Sequence, residues 1–301
     1  MPRNVPRETE RLTAAFAAIL LALGGLAAKA ADAGSAARGA YLATAAGCDQ
    51  CHTDAKNGGR PYAGGRALET PFGTIFAPNI TPDRETGIGR WSFADFTRAL
   101  RSGIAPDDSH YLPAFPVAFY NRLSDGDLAD LKAFLDSVPA VSRLNTATPS
   151  GIFTAARVRA AIISVAECFG GPWRPDRARG SAWNRGAYLV ATVGRCGDCH
   201  TPRNWLGGRD PERQLAGTPA GPGGKAVPNI TPDPNTGIGN WSEHDIITLL
   251  KDGQTPDFDF VGGAMGEIVR NTSRLDDADR QAIAVYLGSI PAVRSEKRVA
   301  K

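Results

Sequence analysis

The chain has 301 residues, room for two ordinary domains, and its 42% hydrophobic and 22% charged content is that of a globular protein. Its net charge is +3, and this falls to +1 once residues 1–30, with four basic and two acidic side chains, are set aside, so no electrostatic case for nucleic-acid binding survives. The 34 glycines and 22 prolines are many, and they favour long loops wrapped around something other than a polypeptide core.

The N-terminus carries Arg3, Arg7 and Arg11, then an apolar run from Leu12 to Ala28, then Ala28-Lys29-Ala30 as a small-x-small cleavage site. These are the three regions of a secretory signal peptide spanning 1–30. An uncleaved membrane anchor is the alternative, because the run sits at the lower edge of a bilayer span. Either way the remainder is exported, which places it in the periplasm or at the outer face of the inner membrane. No other apolar run is long enough to cross a membrane, so membrane contact would come through a partner or this N-terminus.

Residues 31–140 read as a first domain. A helix carrying Tyr41 runs into Cys48-Asp49-Gln50-Cys51-His52, and a glycine- and proline-rich loop without helix or strand follows from about Lys56 to Trp91. A second helix begins at Ser92, whose hydroxyl caps it, with Asp95 at the positive end and Gly103 as a stop. A third runs from Ser124, with Asp127 in the corresponding place, through Leu128, Leu131, Phe134 and Leu135 to Pro139. Residues 141–185 form a linker with one apolar helix, 151–169. It contains Cys168, the fifth cysteine, which reads as a buried small hydrophobe, with a reactive or iron-ligating thiolate as the alternative.

Residues 186–301 repeat the first domain. Gly39-Ala40-Tyr41-Leu42 matches Gly186-Ala187-Tyr188-Leu189, Pro78-Asn79-Ile80-Thr81-Pro82-Asp83 matches 228–233, Thr86-Gly87-Ile88-Gly89 matches 236–239, and Trp91-Ser92 matches Trp241-Ser242. The helix caps recur as Ser242 with Asp245 and as Asp276 with Asp279. Such agreement is the mark of a duplication.

The centre of each repeat is Cys-x-x-Cys-His, at Cys48, Cys51, His52 and again at Cys196, Cys199, His200. This is the attachment pattern of c-type haem. Each thiol adds to one vinyl group of the porphyrin, and the short span leaves the histidine beneath the iron as its proximal ligand. A zinc ribbon would hold its pairs roughly 15 to 20 residues apart, whereas these begin 148 apart. A thioredoxin-type redox site calls for a βαβ pattern, which is missing. The reading is two covalently bound haem c, with Pro78 to Asp83 and Trp91 expected to lie against the haem edge and Asn79 or the Trp91 indole to reach a propionate; the alternative is a plain turn and a core tryptophan.

The two sites are not equivalent. A soft methionine thioether as sixth ligand stabilises ferrous iron and raises the potential. Met1 leaves with the signal peptide, so Met265, 24 residues after Trp241, is the candidate partner of His200. The residue 24 after Trp91 is Phe115, which cannot ligate iron. The first haem then has an open or water-filled position, or a ligand such as His110, Cys168, a lysine or the backbone; the alternative for His110 is an exposed loop residue. His244 reads as exposed. Electrons would enter at the lower-potential first haem and leave from the second.

With these residues in view, the chain resembles the dihaem and trihaem cytochrome c subunits of bacterial alcohol, aldehyde and gluconate dehydrogenases, and related subunits paired with molybdenum hydroxylases. The likeness rests on RGAYL before each motif, on PNITPD, TGIG and WS, on Tyr111-Leu112-Pro113-Ala114-Phe115-Pro116, and on Val269-Arg270-Asn271-Thr272-Ser273. It implies an all-α tandem of the class I cytochrome c fold, in which the first and last helices of each half cross beside the haem. It also implies a protein that passes electrons from a periplasmic dehydrogenase subunit to a downstream acceptor in the respiratory chain. A second expectation is catalytic, since an open first haem beside a His/Met haem is also the layout of dihaem peroxidases, and dihaem thiosulfate dehydrogenases use an unusual ligand at one haem.

Overall fold

A computed structural model describes residues 34–146 and 171–295, except 71–72, 113, 206 and 222–223. The signal segment, the helix expected over 151–169 and Cys168 lie outside the described residues.

In the first half, α1 (Ala36–Ala46) is capped by the Ser35 side chain and ends at Gly47 with φ 67°; α2 (Cys48–His52) follows at once. After a single 3-10 turn, Ala55–Asn57, come α3 (Phe93–Ser102), α4 (Val117–Tyr120) and α5 (Asp125–Ser137). The second half contains α6 (Ser181–Tyr188), which continues as a π-helical turn Leu189–Val193, then α7 (Cys196–His200), α8 (Glu243–Asp252), α9 (Gly263–Thr272) and α10 (Asp277–Ser289). The expected serine caps at Ser92, Ser124 and Ser242 are present, whereas Asp276 begins its helix without a side-chain cap bond, its N–H being bound by Tyr41 instead. Ser92 with Asp95 and Ser242 with Asp245 form complete capping boxes, and Gly103 and Gly253 stop their helices in the left-handed conformation.

The loop expected to lack strands contains an antiparallel pair, β1 (Ala67–Thr70) with β2 (Gly73–Phe76), in which Leu68 faces Ile75. Ile75 is buried against Leu68 and Leu112, so this hairpin has a small apolar face of its own, enough to hold extended backbone in a segment too rich in turn residues for a helix.

RGAYL now has a physical meaning. A Cβ on Gly39 would lie 1.9 Å from the Asp130 carbonyl oxygen, and one on Gly186 would lie 1.9 Å from that of Ala282, so glycine lets α1 cross α5, and α6 cross α10, at backbone contact. The preceding arginines bind the crossed helix: Arg38 pairs with Asp130 at 2.7 Å, and Arg185 with Asp279 at 2.7 Å. The tyrosines reach into the other half. Tyr41 donates to the Asp279 carboxylate at 2.6 Å and accepts from the Asp276 N–H at 3.1 Å; Tyr188 donates to Asp127 and accepts from the Ser124 N–H at 3.2 Å. Each phenol thus serves the N-terminus of the opposite half's last helix, in a reciprocal, two-fold-like pairing.

These pairs rim one apolar core. Leu42, Leu128 and Leu131 from the first half are continuous with Tyr188, Val190, Ile283 and Leu287 from the second. Among the described residues no helix is long and apolar enough to cross a membrane.

Candidate haem sites

Each Cys-x-x-Cys-His segment is one short helix that ends on its histidine. The His52 carbonyl accepts the Gly64 N–H at 2.8 Å, and that of His200 accepts the Gly217 N–H at 2.7 Å. Both glycines have φ near 75°, and a Cβ on either would meet the backbone of the Pro-Asn step within 2.7 Å. They let the chain after the motif lie against Pro78-Asn79 and Pro228-Asn229.

That contact positions the two proline carbonyls. The Nδ1–H of His52 donates to the Pro78 oxygen at 2.8 Å, and that of His200 to the Pro228 oxygen at 2.8 Å. A carbonyl only accepts, so the proton is on Nδ1 and the Nε2 lone pair is free for a metal. Burial pushes both imidazoles below their usual pKa, only partly offset by the carbonyl bond, which keeps them neutral and ligand-competent.

Asn79 was expected to reach a haem propionate, with the Trp91 indole as the other candidate. The structure corrects the first. Asn79 is 2% exposed, donates to the Val141 carbonyl at 2.7 Å and to Thr86 at 3.1 Å, and accepts from the Thr81 N–H and hydroxyl. Asn229 repeats this with Val293, Thr236 and Thr231. Every hydrogen-bonding position of the carboxamide is occupied inside the protein, so its work is to tie the loop under the histidine to the tail after each half's last helix. Trp91 and Trp241 pack, half-buried, on the edge of the core.

Cys48, Cys51, Cys196 and Cys199 form no disulfide with one another. Burial pushes Cys48 up to about 12 and Cys196 up to about 11. Among the described residues no three His, Cys, Asp or Glu side chains gather as metal ligands, so the two cysteine pairs do not converge on one zinc centre. Paired thiols on a one-turn helix, each followed by an imidazole with Nε2 free, fit covalently attached haem c at both places.

Both attachment segments lie at the boundary between the halves. Gln50, between the first two cysteines, donates to the Glu267 carbonyl and to Asn271 on α9, the latter at 3.1 Å. Arg66 joins the same cluster through Glu267 at 3.2 Å. In the reverse direction α4 meets the second half, with Phe119 under the Arg209 guanidinium at 4.1 Å and Tyr120 under that of Arg195 at 5.6 Å. Sequence reading missed α4, α9 and these cross-contacts.

Met265 is half-buried in the first turn of α9. Phe115 stands edge-on to Tyr111, with ring centroids 4.9 Å apart, and to Tyr120 at 5.7 Å. His110 is exposed at the end of a tight turn that bridges back to Ile104, and it lines a small cleft with Tyr111, Leu112 and Phe115. His244 is exposed, as expected.

A cytochrome c family model matches residues 36–139. The chain is 44% identical over 264 residues to a diheme cytochrome c-type protein of Cereibacter sphaeroides, an alignment covering 86% of this chain and 87% of that protein. It is 40% identical to the fructose dehydrogenase cytochrome subunit of Gluconobacter japonicus, over 86% of this chain and 53% of the subunit. It is 36% identical to the cytochrome c subunit of an alcohol dehydrogenase (quinone) of Gluconobacter oxydans, over 96% of this chain and 62% of that subunit. The chain therefore spans only about half to two-thirds of these dehydrogenase subunits. Taken with the paired thiols and the carbonyl-locked imidazoles, this likeness shows that the chain belongs to the cytochrome c family, in the branch that includes dihaem cytochromes and the cytochrome subunits of dehydrogenases.

Proposed function

We propose that the protein is a periplasmic electron carrier built as a tandem duplication of the class I cytochrome c fold, exported behind residues 1–30. It takes electrons from a dehydrogenase subunit at the Cys48/His52 site and releases them to a respiratory-chain acceptor from the Cys196/His200 site. The observation that carries this reading is that the two attachment segments share one interface, where Arg195, next to Cys196, donates to the carbonyl of Ala46, two residues before Cys48, at 3.4 Å. Electron exchange between the sites then needs no excursion through solvent.

Haem c, when bound, supplies reversible one-electron chemistry at iron. The chain supplies the rest. Cys48, Cys51, Cys196 and Cys199 would hold each porphyrin through its vinyl groups, His52 and His200 would offer Nε2, and the Pro78 and Pro228 carbonyls orient the imidazole rings. Met265 as the sixth ligand of the second site would hold it at the higher potential, because a thioether favours the ferrous state. The relatives named as dehydrogenase subunits support a dehydrogenase as the donor.

A second reading has a specific basis. Phe115 is pinned between Tyr111 and Tyr120 and offers no ligand, so a first iron not reached by His110 would be open to a small molecule, as a peroxidase or thiosulfate dehydrogenase requires. One experiment separates the two: the spectrum of the reduced holoprotein before and after carbon monoxide, followed by a peroxide turnover assay. A carrier gives two haems per chain and no peroxide turnover. Rapid carbon monoxide binding at one haem together with sustained turnover would replace the carrier reading with the catalytic one.

A further inference from the structure

The two halves differ by one residue just ahead of the haem motif. Tyr41 and Tyr188 are 147 apart, whereas Cys48 and Cys196 are 148 apart, so the second half has gained a residue between them. The structure shows where it went. The first half descends through regular α-helix to Gly47, while the second widens into the π-helical turn Leu189–Val193, as a single insertion does in a helix held at both ends. The left-handed position before the first cysteine, Gly47 with φ 67° in the first half, is then occupied by Arg195 with φ 53°. A residue with a Cβ is disfavoured there, and Asn, Asp or Gly is the ordinary choice.

Arg195 is therefore held against a local preference, and its surroundings suggest why. The guanidinium crosses into the first half, donates to the Ala46 carbonyl at 3.4 Å and lies over the Tyr120 ring at 5.6 Å, while its own backbone adjoins Cys196. Its nearest carboxylate, Asp198, is 3.9 Å away and is bound more closely by Arg203, at 2.5 Å, so the Arg195 charge is poorly compensated. Ala46, whose carbonyl it binds, lies two residues ahead of Cys48 on the first-half side.

From this geometry we propose that Arg195 is a charge shared by the two haem sites, placed between them to favour the reduced state of both. Reduction removes one positive charge from an iron centre, so a fixed cation in a low-dielectric interface stabilises the product over the reactant at each site. The inference rests on the dihaem reading above. A cation serving both sites raises them together and so leaves unchanged the gap that Met265 would open between them.

The test is potentiometric titration of the holoprotein, resolved for each haem by its spectrum, in Arg195→Gly, Arg195→Gln and Arg195→Lys. Glycine is the residue the first half uses here, so Arg195→Gly is compatible with the fold; Arg195→Gln removes the charge while keeping most of the side chain. Both are expected to raise the oxidised-to-reduced ratio of each haem about tenfold at a fixed potential, a fall of about 59 mV for one electron. Arg195→Lys is expected to recover most of it. Ratios within twofold of wild type at both haems, a shift confined to one haem, or no rescue by lysine would each overturn the shared-charge role. A haem count by pyridine haemochrome is made first on each sample; fewer than two haems in the wild type would instead overturn the dihaem reading.

Discussion

Replacing Tyr41 by Phe, and separately Tyr188 by Phe, tests whether the reciprocal phenol contacts hold the halves together. Each change keeps the ring and removes one oxygen. For Tyr41 the loss is a 2.6 Å bond to the Asp279 carboxylate and a 3.1 Å bond from the Asp276 N–H. Hydrogen bonds to charged groups contribute about 1.5 to 3 kcal/mol. Asp279 keeps both Arg185 bonds, at 2.8 and 2.7 Å, and Asp276 is exposed enough for water to replace the phenol, so the lower end applies: about 1.5 kcal/mol for Tyr41→Phe. Tyr188→Phe should fall in the same range, and the double variant should depart from the sum, since both bonds serve one interface. Urea denaturation of the holoprotein, followed by circular dichroism and by haem absorbance, reads this as a lower midpoint with an unchanged slope. Because the halves share one core, both probes should show a single transition in the wild type. Separate transitions, or midpoints unmoved in both single variants, would refute the argument.

The same contact carries a pH signature. Burial pushes the Asp279 carboxyl up, but the bonds from Arg185 and Tyr41 outweigh it and leave the pKa below the usual value. A carboxylate depressed in the folded state contributes stability that is complete above its unfolded pKa of about 3.9 and is lost as pH falls through the folded value. Tyr41→Phe removes one of the depressing bonds. The gap between variant and wild type should therefore be constant near neutrality and shrink below about pH 4; a gap that widens there would show that Asp279 is not the partner that matters.

Gly39→Ala and Gly186→Ala each push a methyl to 1.9 Å from a backbone carbonyl of the crossed helix, and each should cost about 3 kcal/mol or more, seen as a large fall in melting temperature. Asn79→Ala leaves the Thr81 N–H without its buried partner and the Val141 carbonyl with only the 3.4 Å bond from the Thr81 hydroxyl, a loss of about 1 to 3 kcal/mol, and should raise hydrogen exchange at Thr81 before it affects the core helices. Met265→Ala should remove the thioether-to-iron absorption near the red end of the visible spectrum and lower one midpoint potential while leaving the other in place; an unchanged spectrum would make Met265 a packing residue.

Some of this was legible in the residues because its causes are local. Cys-x-x-Cys-His needs only five consecutive residues to define its chemistry, and a Ser-x-x-Asp cap only four. The recurrence of PNITPD marked a segment that mattered, but its role was misread. Asn79 was matched to a propionate because nothing local reveals that Val141, 62 positions on, arrives to take its N–H. The strand pair was hidden for a similar reason, since its small apolar face exists only when Leu112 closes over Ile75. The single-residue insertion that places Arg195 was visible as a change of offset, yet its meaning depends on which carbonyl the guanidinium meets.

Chain order alone carried the motif and its repetition: two Cys-x-x-Cys-His segments, each with two thiols and an imidazole, and a single methionine beyond the first residue, Met265. How the two halves face each other is instead a property of the folded molecule. Tyr41 and Asp279 are 238 residues apart, and Gln50 and Asn271 are 221 apart. Those partners are chosen by the packing of four crossing helices around one core, in which two glycines set the depth of contact and so determine which side chains come within reach. A Cys-x-x-Cys-His motif is specified by bonds along the chain, whereas the closeness of its two copies is specified by contacts between surfaces that exist only after folding.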